Sequence, residues 1–466
     1  MTQPPSGPPG AAARPDETER LRAVLHSPGY LRTVGFCALI GVPVSLAAFW
    51  LLVGLHQLTR LLWESWPHTL GWQDPPWWWP LPLALVPGVV VGVVATRLPG
   101  GGGHIPAAGF QSGGASAAAL PGVLLAAAAC LPFGAVLGPE APLIAFGGGL
   151  ALLLAGPVRM GRHPDLAALL TAAGSAAAIA AIFGNALVAA VLLIEVAGVA
   201  GPRLVLVMLP ALACSGVGAL VFTGFGRWTG LGTGSLDIGL PAPPPLDAGD
   251  VVGAVVIGLV LGPALRLVTA AGRRTAAFVA VRPLPRTLLC ALAAAGCAAL
   301  YAVLTGRSPA EAALSGQSAL AKLAADPAGW PDGALVAVLL LKSAGYALCL
   351  GSLRGGPIFP VAFLGGALGA LLAPLPGLGL VPGMAAGMAA GVVAVLRLPV
   401  SSAVLVVLLV GSIEVIPVVI IALVVSLLAS QLPPGAVPRR LFPRGRSRPK
   451  GGRRGGRRGA TPPAPR

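Results

Sequence analysis

Two stretches of the sequence decide the fold: GPEAPLIAFGG, which starts at Gly138, and GPIFPVAFLGG, which starts at Gly356. In both, Gly-Pro-x-x-Pro is followed five residues later by Gly-Gly, and one constant offset relates the shared positions. A weaker match follows downstream, between the segments that begin at Ala172 and Ala385. We interpret the chain as two homologous halves that carry the same motif, and we call these two stretches the first and second signatures.

The composition is that of a membrane protein. Apolar residues make up 56% of the chain and charged residues only 10%, against about 25% charged in ordinary soluble domains. This composition excludes a water-soluble enzyme of 466 residues. Collagen-like and disordered chains are excluded because Leu, Val and Ala fill long runs, and these runs are too long for transmembrane β-strands. We predict an all-α polytopic membrane protein.

The apolar segments are separated by Gly and Pro, and several are shorter than the ~20 residues that a membrane-spanning helix needs. Short segments at membrane depth are tolerated where they line a cavity, and matching short segments in two halves point to a binding site at the midplane. We therefore predict broken helices. The predicted organisation is a polar N-terminal segment at 1–33, a first membrane half at 34–225, a linker at 226–249, a second membrane half at 250–432 and a basic disordered tail at 433–466.

The tail after Leu432 carries eleven Lys and Arg residues and no acid. The positive-inside rule predicts that this C-terminal tail is cytoplasmic. The same charge allows contact with anionic membrane lipids. Nucleic-acid binding through the Arg-Gly pattern is the weakest of the three interpretations, so we expect no nucleic-acid partner.

The two signatures read as helices that begin inside the membrane, because Gly followed by Pro is typical of a helix start. The free N–H groups of such helix ends favour an anion, by ~0.3–1 kcal/mol for each end. Several converging ends without strong cationic side chains could hold a small anion weakly enough to release it. A third candidate helix start is the glycine-rich stretch Gly100–Gly109.

Glu140 lies inside the first signature. A carboxylate in the bilayer core costs ~2.5–3.5 kcal/mol on insertion scales, unless a positive helix end holds it or a proton neutralises it. Such a group competes with the transported anion and accepts protons. The alternative is an acid that only caps a buried helix end, and that role needs the same geometry.

The sequence offers no metal site and no cofactor motif. Five histidines are scattered, and the six cysteines stand singly in apolar runs, so we interpret the cysteines as small core residues. A membrane enzyme acting on lipid would need a carboxylate or histidine cluster, or a nucleophile with its base. We therefore expect a protein that is not an enzyme.

The signatures resemble motifs of the CLC family of chloride channels and chloride/proton antiporters. GPEAP at Gly138 is similar to the family's G-[KR]-E-G-P, GPIFP at Gly356 to its G-x-F-x-P, and GGHIP at Gly102 loosely to its G-S-G-I-P. The likeness extends over about residues 34–432. It implies inverted repeats, a homodimer with one pore per subunit, and transport of chloride or another small anion in the cell membrane, with protons as possible partners.

The resemblance also assigns residues. Glu140 falls on the gating glutamate, which accepts the proton. Glu195 is the candidate proton relay, one residue before the family's relay position at Val196. The implied anion-binding positions are Gly103, His104, Ile105, Gly138, Ala141, Gly356, Ile358 and Phe359. His104 could donate to an anion when neutral, or attract one when protonated.

Several positions depart from the family. Gly103 replaces the serine whose hydroxyl binds the anion, Pro357 lacks a backbone N–H, and the pore tyrosine has no counterpart, since we place Tyr30, Tyr301 and Tyr346 elsewhere. Three alternatives to a chloride/proton exchanger therefore stay open. They are an uncoupled voltage- or pH-gated anion channel, an exporter of another anion such as fluoride or nitrate, and a membrane scaffold that transports nothing.

Overall fold

Long and short apolar helices follow one another along the chain. The computed structural model describes residues 17–109, 114–156, 164–197, 202–231, 238–243 and 245–431. These residues belong to one compact unit, Met1–Leu432, and the predicted basic tail at 433–466 lies outside the described residues.

The described part of the chain contains seventeen α-helices. They are α1 (Glu17–Leu25), α2 (Pro28–Arg60), α3 (Trp66–Thr69), α4 (Pro80–Arg97), α5 (Leu120–Cys130), α6 (Glu140–Ala155), α7 (Pro164–Phe183), α8 (Ala186–Ala197), α9 (Pro202–Thr229), α10 (Ala248–Val281), α11 (Pro283–Thr305), α12 (Gln317–Ala325), α13 (Asp332–Ser352), α14 (Ile358–Leu372), α15 (Leu380–Leu396), α16 (Pro399–Val410) and α17 (Ile416–Gln431).

Helix length separates two kinds of element. Within the described ranges, seven helices are long and apolar enough to cross a membrane, and seven further apolar helices have only 10–17 residues. At ~1.5 Å per residue, a helix of the second kind falls short of a hydrocarbon core that is ~30 Å thick. The prediction of an all-α polytopic protein built partly from broken helices is confirmed.

The two halves pack in the same way. In the first half α6 meets α7 at Gly147 and Gly174, where a Cβ on either glycine would run into the backbone of the other. In the second half α14 meets α15 at Gly365 and Gly387 with the same reciprocal contact. Small residues let membrane helices approach closely, and the repeated sequence places them at the same step of each half.

The halves are related by inversion at the signatures. Gly138 and Gly356, which are equivalent in the two halves, form an isolated antiparallel bridge. The N–H of Gly138 donates to the carbonyl of Gly356 at 2.7 Å, and the N–H of Gly356 donates back to Gly138 at 2.6 Å. A reciprocal pair of equivalent residues requires a local two-fold axis between them, as an inverted repeat predicts.

Two of the three predicted helix starts form α-helices. Helix α6 begins at Glu140, directly after Pro139, and α14 begins at Ile358, directly after Pro357. The third, at Gly100–Gly109, is wrong as a helix start, because only the three-residue 3-10 turn Pro106–Ala108 follows the glycines. The four residues from Gly100 to Gly103 all have positive φ, which glycine adopts readily and which an α-helix does not use.

Candidate functional site

The buried carboxyl group of Glu140 lies where the two signatures meet. Only 1% of the residue is exposed, and Oε1 accepts a hydrogen bond from the backbone N–H of Phe359 at 3.0 Å. Oε2 is buried and has no hydrogen-bond partner among the described residues. The acid of the first half thus occupies the N-terminal turn of α14 in the second half, with one of its two oxygens unsatisfied.

Glycine is required at two positions around this carboxyl group. A Cβ added to either Gly138 or Gly356 would collide with the carboxylate oxygens of Glu140. The bridge between the two glycines therefore does two things, since it joins the halves and leaves room for the acid side chain. We call this space, bounded by Gly138, Gly356 and the N–H of Phe359, the Glu140 seat.

Tyr346 contacts the second signature at Pro357. It is completely buried, and its hydroxyl donates to the carbonyl of Pro357 at 3.2 Å. The sequence interpretation placed Tyr346 away from the pore, but the structure brings it into contact with the residue that precedes α14. No sequence pattern marks this contact, because it depends on how α13 packs against α14.

A cavity of about 310 Å³ lies beside the glycine-rich loop. Gly103 and His104 line it from the first half together with Ala141 of α6, and Gly355 and Pro357 line it from the second half. We call it the glycine-loop cavity. Its described lining carries no acidic side chain, and the polar side chains there are those of His104 and Ser116.

A second cavity, of about 400 Å³, lies between α2 and α12 and is called the α2–α12 cavity. Its polar lining residues include His56, Thr59, Ser318 and Lys322. Among the described residues that line it there is again no acid. Both cavities therefore suit an anion better than a cation.

Glu140 separates the two cavities. Its neighbour Ala141 lines the glycine-loop cavity, whereas its neighbour Pro139 lines the α2–α12 cavity. The second signature divides in the same way, because Pro357 faces the first cavity and Phe359 the second. The Glu140 seat is thus the point at which a path between the cavities would be closed.

The predicted anion-binding residues separate into three places. Gly103, His104 and Ala141 line the glycine-loop cavity. Gly138 and Gly356 form the bridge, and Phe359 supplies the N–H to Glu140. Ile105, 37% exposed, and Ile358, fully buried, belong to the described lining of neither cavity.

His104 has a fixed hydrogen bond. Its Nε2 contacts the carbonyl oxygen of Gly109, and a carbonyl can only accept, so this nitrogen carries the proton. In the neutral ring the remaining nitrogen, Nδ1, is then an acceptor. His104 can therefore donate a further hydrogen bond to an anion only in its protonated form, which narrows the two options that the sequence left open.

Glu195 lies at a different place from Glu140. Its carboxylate accepts hydrogen bonds from the backbone N–H of Val400 at 3.0 Å, from the N–H of Ser401 at 2.7 Å and from the Ser401 hydroxyl at 2.6 Å. It satisfies the first turn of α16, a role that acids commonly have. The described lining of neither cavity includes it, and its relay role stays a prediction.

Two cationic side chains, those of Lys342 and Arg354, are buried. The ammonium of Lys342 is completely buried and donates to the carbonyls of Glu311, Ala312, Ala313 and Leu314 at 2.7–3.3 Å. The sequence analysis does not identify Arg354 as a site residue. A signal for it exists, because this arginine, two residues before Gly356, interrupts an otherwise apolar stretch.

No group of three or more His, Cys, Asp or Glu side chains that could hold a metal ion occurs within the described ranges. The chemistry of the site rests on one carboxyl group, backbone N–H groups and a few buried cations.

The fold and the site together define a class: polytopic membrane proteins with inverted repeats whose broken helices meet at a buried acid. The family model described as "Voltage gated chloride channel" matches residues 107–431. The chain therefore belongs to the voltage gated chloride channel family.

Solved structures share this fold. A slow cyanobacterial Cl⁻/H⁺ antiporter superposes with a TM-score of 0.67 at 17% identity, covering 86% of this chain and 94% of that one. A CLC-type fluoride/proton antiporter gives a TM-score of 0.59 at 20% identity, covering 84% of this chain and 95% of that one. At these identities the likeness concerns the fold.

The curated relatives match over a shorter span. The "Putative ion-transport protein YfeO" of Salmonella newport is 33% identical over 156 residues, which is 33% of this chain and 37% of the relative. The same protein from Salmonella typhimurium gives the same figures. The match thus spans little more than a third of the relatives' length.

Proposed function

We propose that the protein transports small anions, with chloride as the first candidate, across the membrane, and that Glu140 is the gate. The observation that carries the proposal is the Glu140 seat. A carboxylate is itself an anion, so the N–H of Phe359 and the first turn of α14 can accept a halide when the side chain leaves. The two cavities on either side, whose described linings carry no acid, supply the approach.

The unsatisfied oxygen explains why the gate can open. A buried polar atom without a hydrogen bond costs ~1–3 kcal/mol, and more when it is charged. The Oε2 atom of Glu140 is in this position, so the closed conformation is not strongly favoured. A proton on the carboxyl group removes its charge and its competition with the transported anion. Protons therefore regulate the gate in this proposal, whether or not they are carried across.

Proton-coupled exchange and channel-like conduction both fit this gate. Exchange needs a proton route to Glu140, and the family's relay position is Val196, which cannot hold a proton. The fold neighbours named above are described as proton antiporters, which supports exchange for this chain. Channel conduction is favoured by the contacts of Glu195, which already accepts three hydrogen bonds from α16.

The test is anion flux from proteoliposomes that contain the purified protein, with chloride, fluoride and nitrate measured separately. We expect a chloride gradient to dissipate when an ionophore supplies the counter-charge. Under opposing chloride and pH gradients, a reversal potential that shifts with pH means exchange, and one fixed at the chloride equilibrium potential means a channel. Absence of flux for all three anions from folded protein would leave the scaffold interpretation.

We further propose a homodimer with one pore per subunit in the cell membrane, and a cytoplasmic tail. Exposed apolar residues on α9, such as Leu220 and Trp228, suit contact with a second copy or with lipid. Cross-linking in liposomes tests the dimer. Protease treatment of intact spheroplasts tests the tail, which we expect to be protected.

A further inference from the structure

Arg354 is a buried cation next to residues that line the glycine-loop cavity. It lies between α13 and α14, directly before the cavity-lining Gly355, and only 8% of it is exposed. Its Nε donates to the carbonyl of Gly101 at 3.2 Å and its Nη1 to the carbonyl of Leu353 at 3.3 Å. Gly101 is flanked by Gly100 and Gly102, and Gly100 lines the same cavity.

The charge of Arg354 is not neutralised by a protein acid. Arg354 forms no ion pair with any acid in the part of the chain that the structure describes. Both of its hydrogen-bond acceptors are neutral carbonyls. A guanidinium remains charged in proteins, and a buried charge without a partner is costly. Such a group suits a site that is completed by a mobile anion.

One end of the guanidinium is left for a ligand. Nη2 makes no hydrogen bond with a described residue, yet it is not among the buried unpaired side-chain atoms, which are Ser45 Oγ and Glu140 Oε2. Nη2 is therefore not completely buried. The nearest described cavity is the glycine-loop cavity, which is lined by Gly355, the residue after Arg354, and by Gly100, the residue before its acceptor Gly101. Arg354 itself does not line this cavity, so its charge acts on the cavity from the adjoining layer of residues.

We propose that Arg354 attracts anions into the glycine-loop cavity, and that its positive charge replaces the attraction lost where Gly103 lacks a side-chain hydroxyl. This inference rests on the proposed function and adds to it the residue that sets anion affinity on one side of the gate. The ligand class is a small monovalent anion, because one fixed charge adjoins the cavity, which has about 310 Å³ of space.

A purely structural role makes a different prediction. If Arg354 only ties the Gly101 loop to the second half, its loss changes stability but not anion affinity in the protein that remains folded. If its charge binds the anion, Lys at this position preserves most of the affinity and Gln does not. The two roles are therefore separated by affinity, measured independently of flux.

The experiment titrates sodium chloride into purified protein in a gluconate buffer, by calorimetry, and measures flux as a function of chloride concentration in liposomes. We expect Arg354→Gln to weaken chloride binding about tenfold and Arg354→Lys to weaken it less than about threefold. The half-saturating concentration for flux should rise by the same factors. Arg286→Gln is the matched control, because Arg286 also donates to a backbone carbonyl, that of Phe278. Neither Arg286 nor Phe278 is next in the chain to a residue that lines either cavity.

If Arg354→Gln does not fold, Arg354→His allows the charge to be titrated in place. We then expect chloride affinity to fall from pH 5.5 to pH 8 by several-fold more than in the unmodified protein. Unchanged affinity in a folded Arg354→Gln, or identical pH profiles for Arg354→His and the unmodified protein, would overturn the proposal. Chloride binding without any flux would instead contradict the proposed transport and leave the Arg354 site standing.

Discussion

The two signatures have the same backbone and different side chains. Each places a helix start directly after Gly-Pro, and their first glycines bond to each other. At the position directly after Gly-Pro, the first half has Glu140 and the second half has Ile358, which is fully buried and apolar. The repeated residues thus build a symmetric frame. The difference at this one position, Glu140 in one half and Ile358 in the other, gives that frame a single titratable group.

A second difference lies two residues before the paired glycines. The second half has Arg354 there, and the equivalent residue of the first half is Val136, which is buried in the apolar core. The first half therefore contributes the carboxyl group of the site, and the second half contributes the cation. Two symmetric binding positions would hold an anion equally, whereas this division gives the path one gate and one attracting charge.

The largest effect is expected when the acid becomes neutral. Glu140→Gln keeps the shape of the side chain and removes its charge, so it imitates the protonated carboxyl group. We expect anion flux at neutral pH to rise about tenfold, since a positive helix end favours an anion by up to ~2 kcal/mol and the competing carboxylate is gone. Any proton coupling should disappear, as shown by a reversal potential that no longer moves with pH.

The control for this variant is Glu64→Gln, because Glu64 is an exposed acid that pairs with Arg60, the last residue of α2. Flux and pH dependence should be unchanged in the control. The same flux and the same pH dependence in Glu140→Gln and the unmodified protein would remove Glu140 from the gate.

A smaller effect is expected when the seat is narrowed. In Gly356→Ala the new Cβ would occupy the position of the Glu140 carboxylate, so the side chain must leave its seat. We expect flux to lose most of its pH dependence while the acid is still present. Gly296→Ala is the matched control, because no atom lies within 4 Å of the added Cβ there. Normal pH dependence in folded Gly356→Ala would mean that Glu140 acts from another position.

Much of this frame could be predicted from the sequence, and the reason is its repetition. Helices such as α4 and α15 follow from composition alone, because their sequences are apolar runs interrupted only by Gly and Pro. The doubled Gly-Pro-x-x-Pro also predicted where α6 and α14 begin. A pattern that occurs twice reports on geometry that both halves need.

The features that could not be predicted occur once and depend on contacts between distant segments. The carbonyl acceptors of Lys342 lie on the turn that leads to α12, and nothing in the sequence around Lys342 indicates them. The hydrogen bonds from Tyr346 to Pro357 and from Arg354 to Gly101 likewise cross between elements. The prediction of a helix start at Gly100–Gly109 rests on the glycine-rich turns that precede many helices, whereas the positive φ values from Gly100 to Gly103 form a loop.

Lys342 allows a prediction about stability in the second half alone. Lys342→Met keeps an unbranched side chain but leaves four carbonyls without their donor. Each unsatisfied buried group costs ~1–3 kcal/mol, and water can satisfy some of them, so we expect a total loss of about 3 kcal/mol. The measurement is thermal unfolding in detergent. Lys322→Met, at an exposed lysine of α12, should leave the unfolding temperature unchanged, and an equal shift in both variants would contradict this role.

The smallest effect is expected at Glu195, whose carboxylate holds the first turn of α16. Glu195→Gln keeps one acceptor oxygen and loses the charge, so the hydrogen bonds from Val400 and Ser401 are weakened but not all lost. Loss of a capping side chain costs ~0.5–2 kcal/mol, and a partial loss should lie near the lower end. We expect a small decrease in the unfolding temperature.

The reversal potential of the same variant, under opposing chloride and pH gradients, decides whether helix capping is the whole role of Glu195. A pH-dependent shift that survives in Glu195→Gln means that protons reach Glu140 without this residue, through water. A shift that is abolished while the protein stays folded identifies Glu195 as the relay, because a change of less than about 1 kcal/mol in helix capping cannot uncouple exchange in a stable protein.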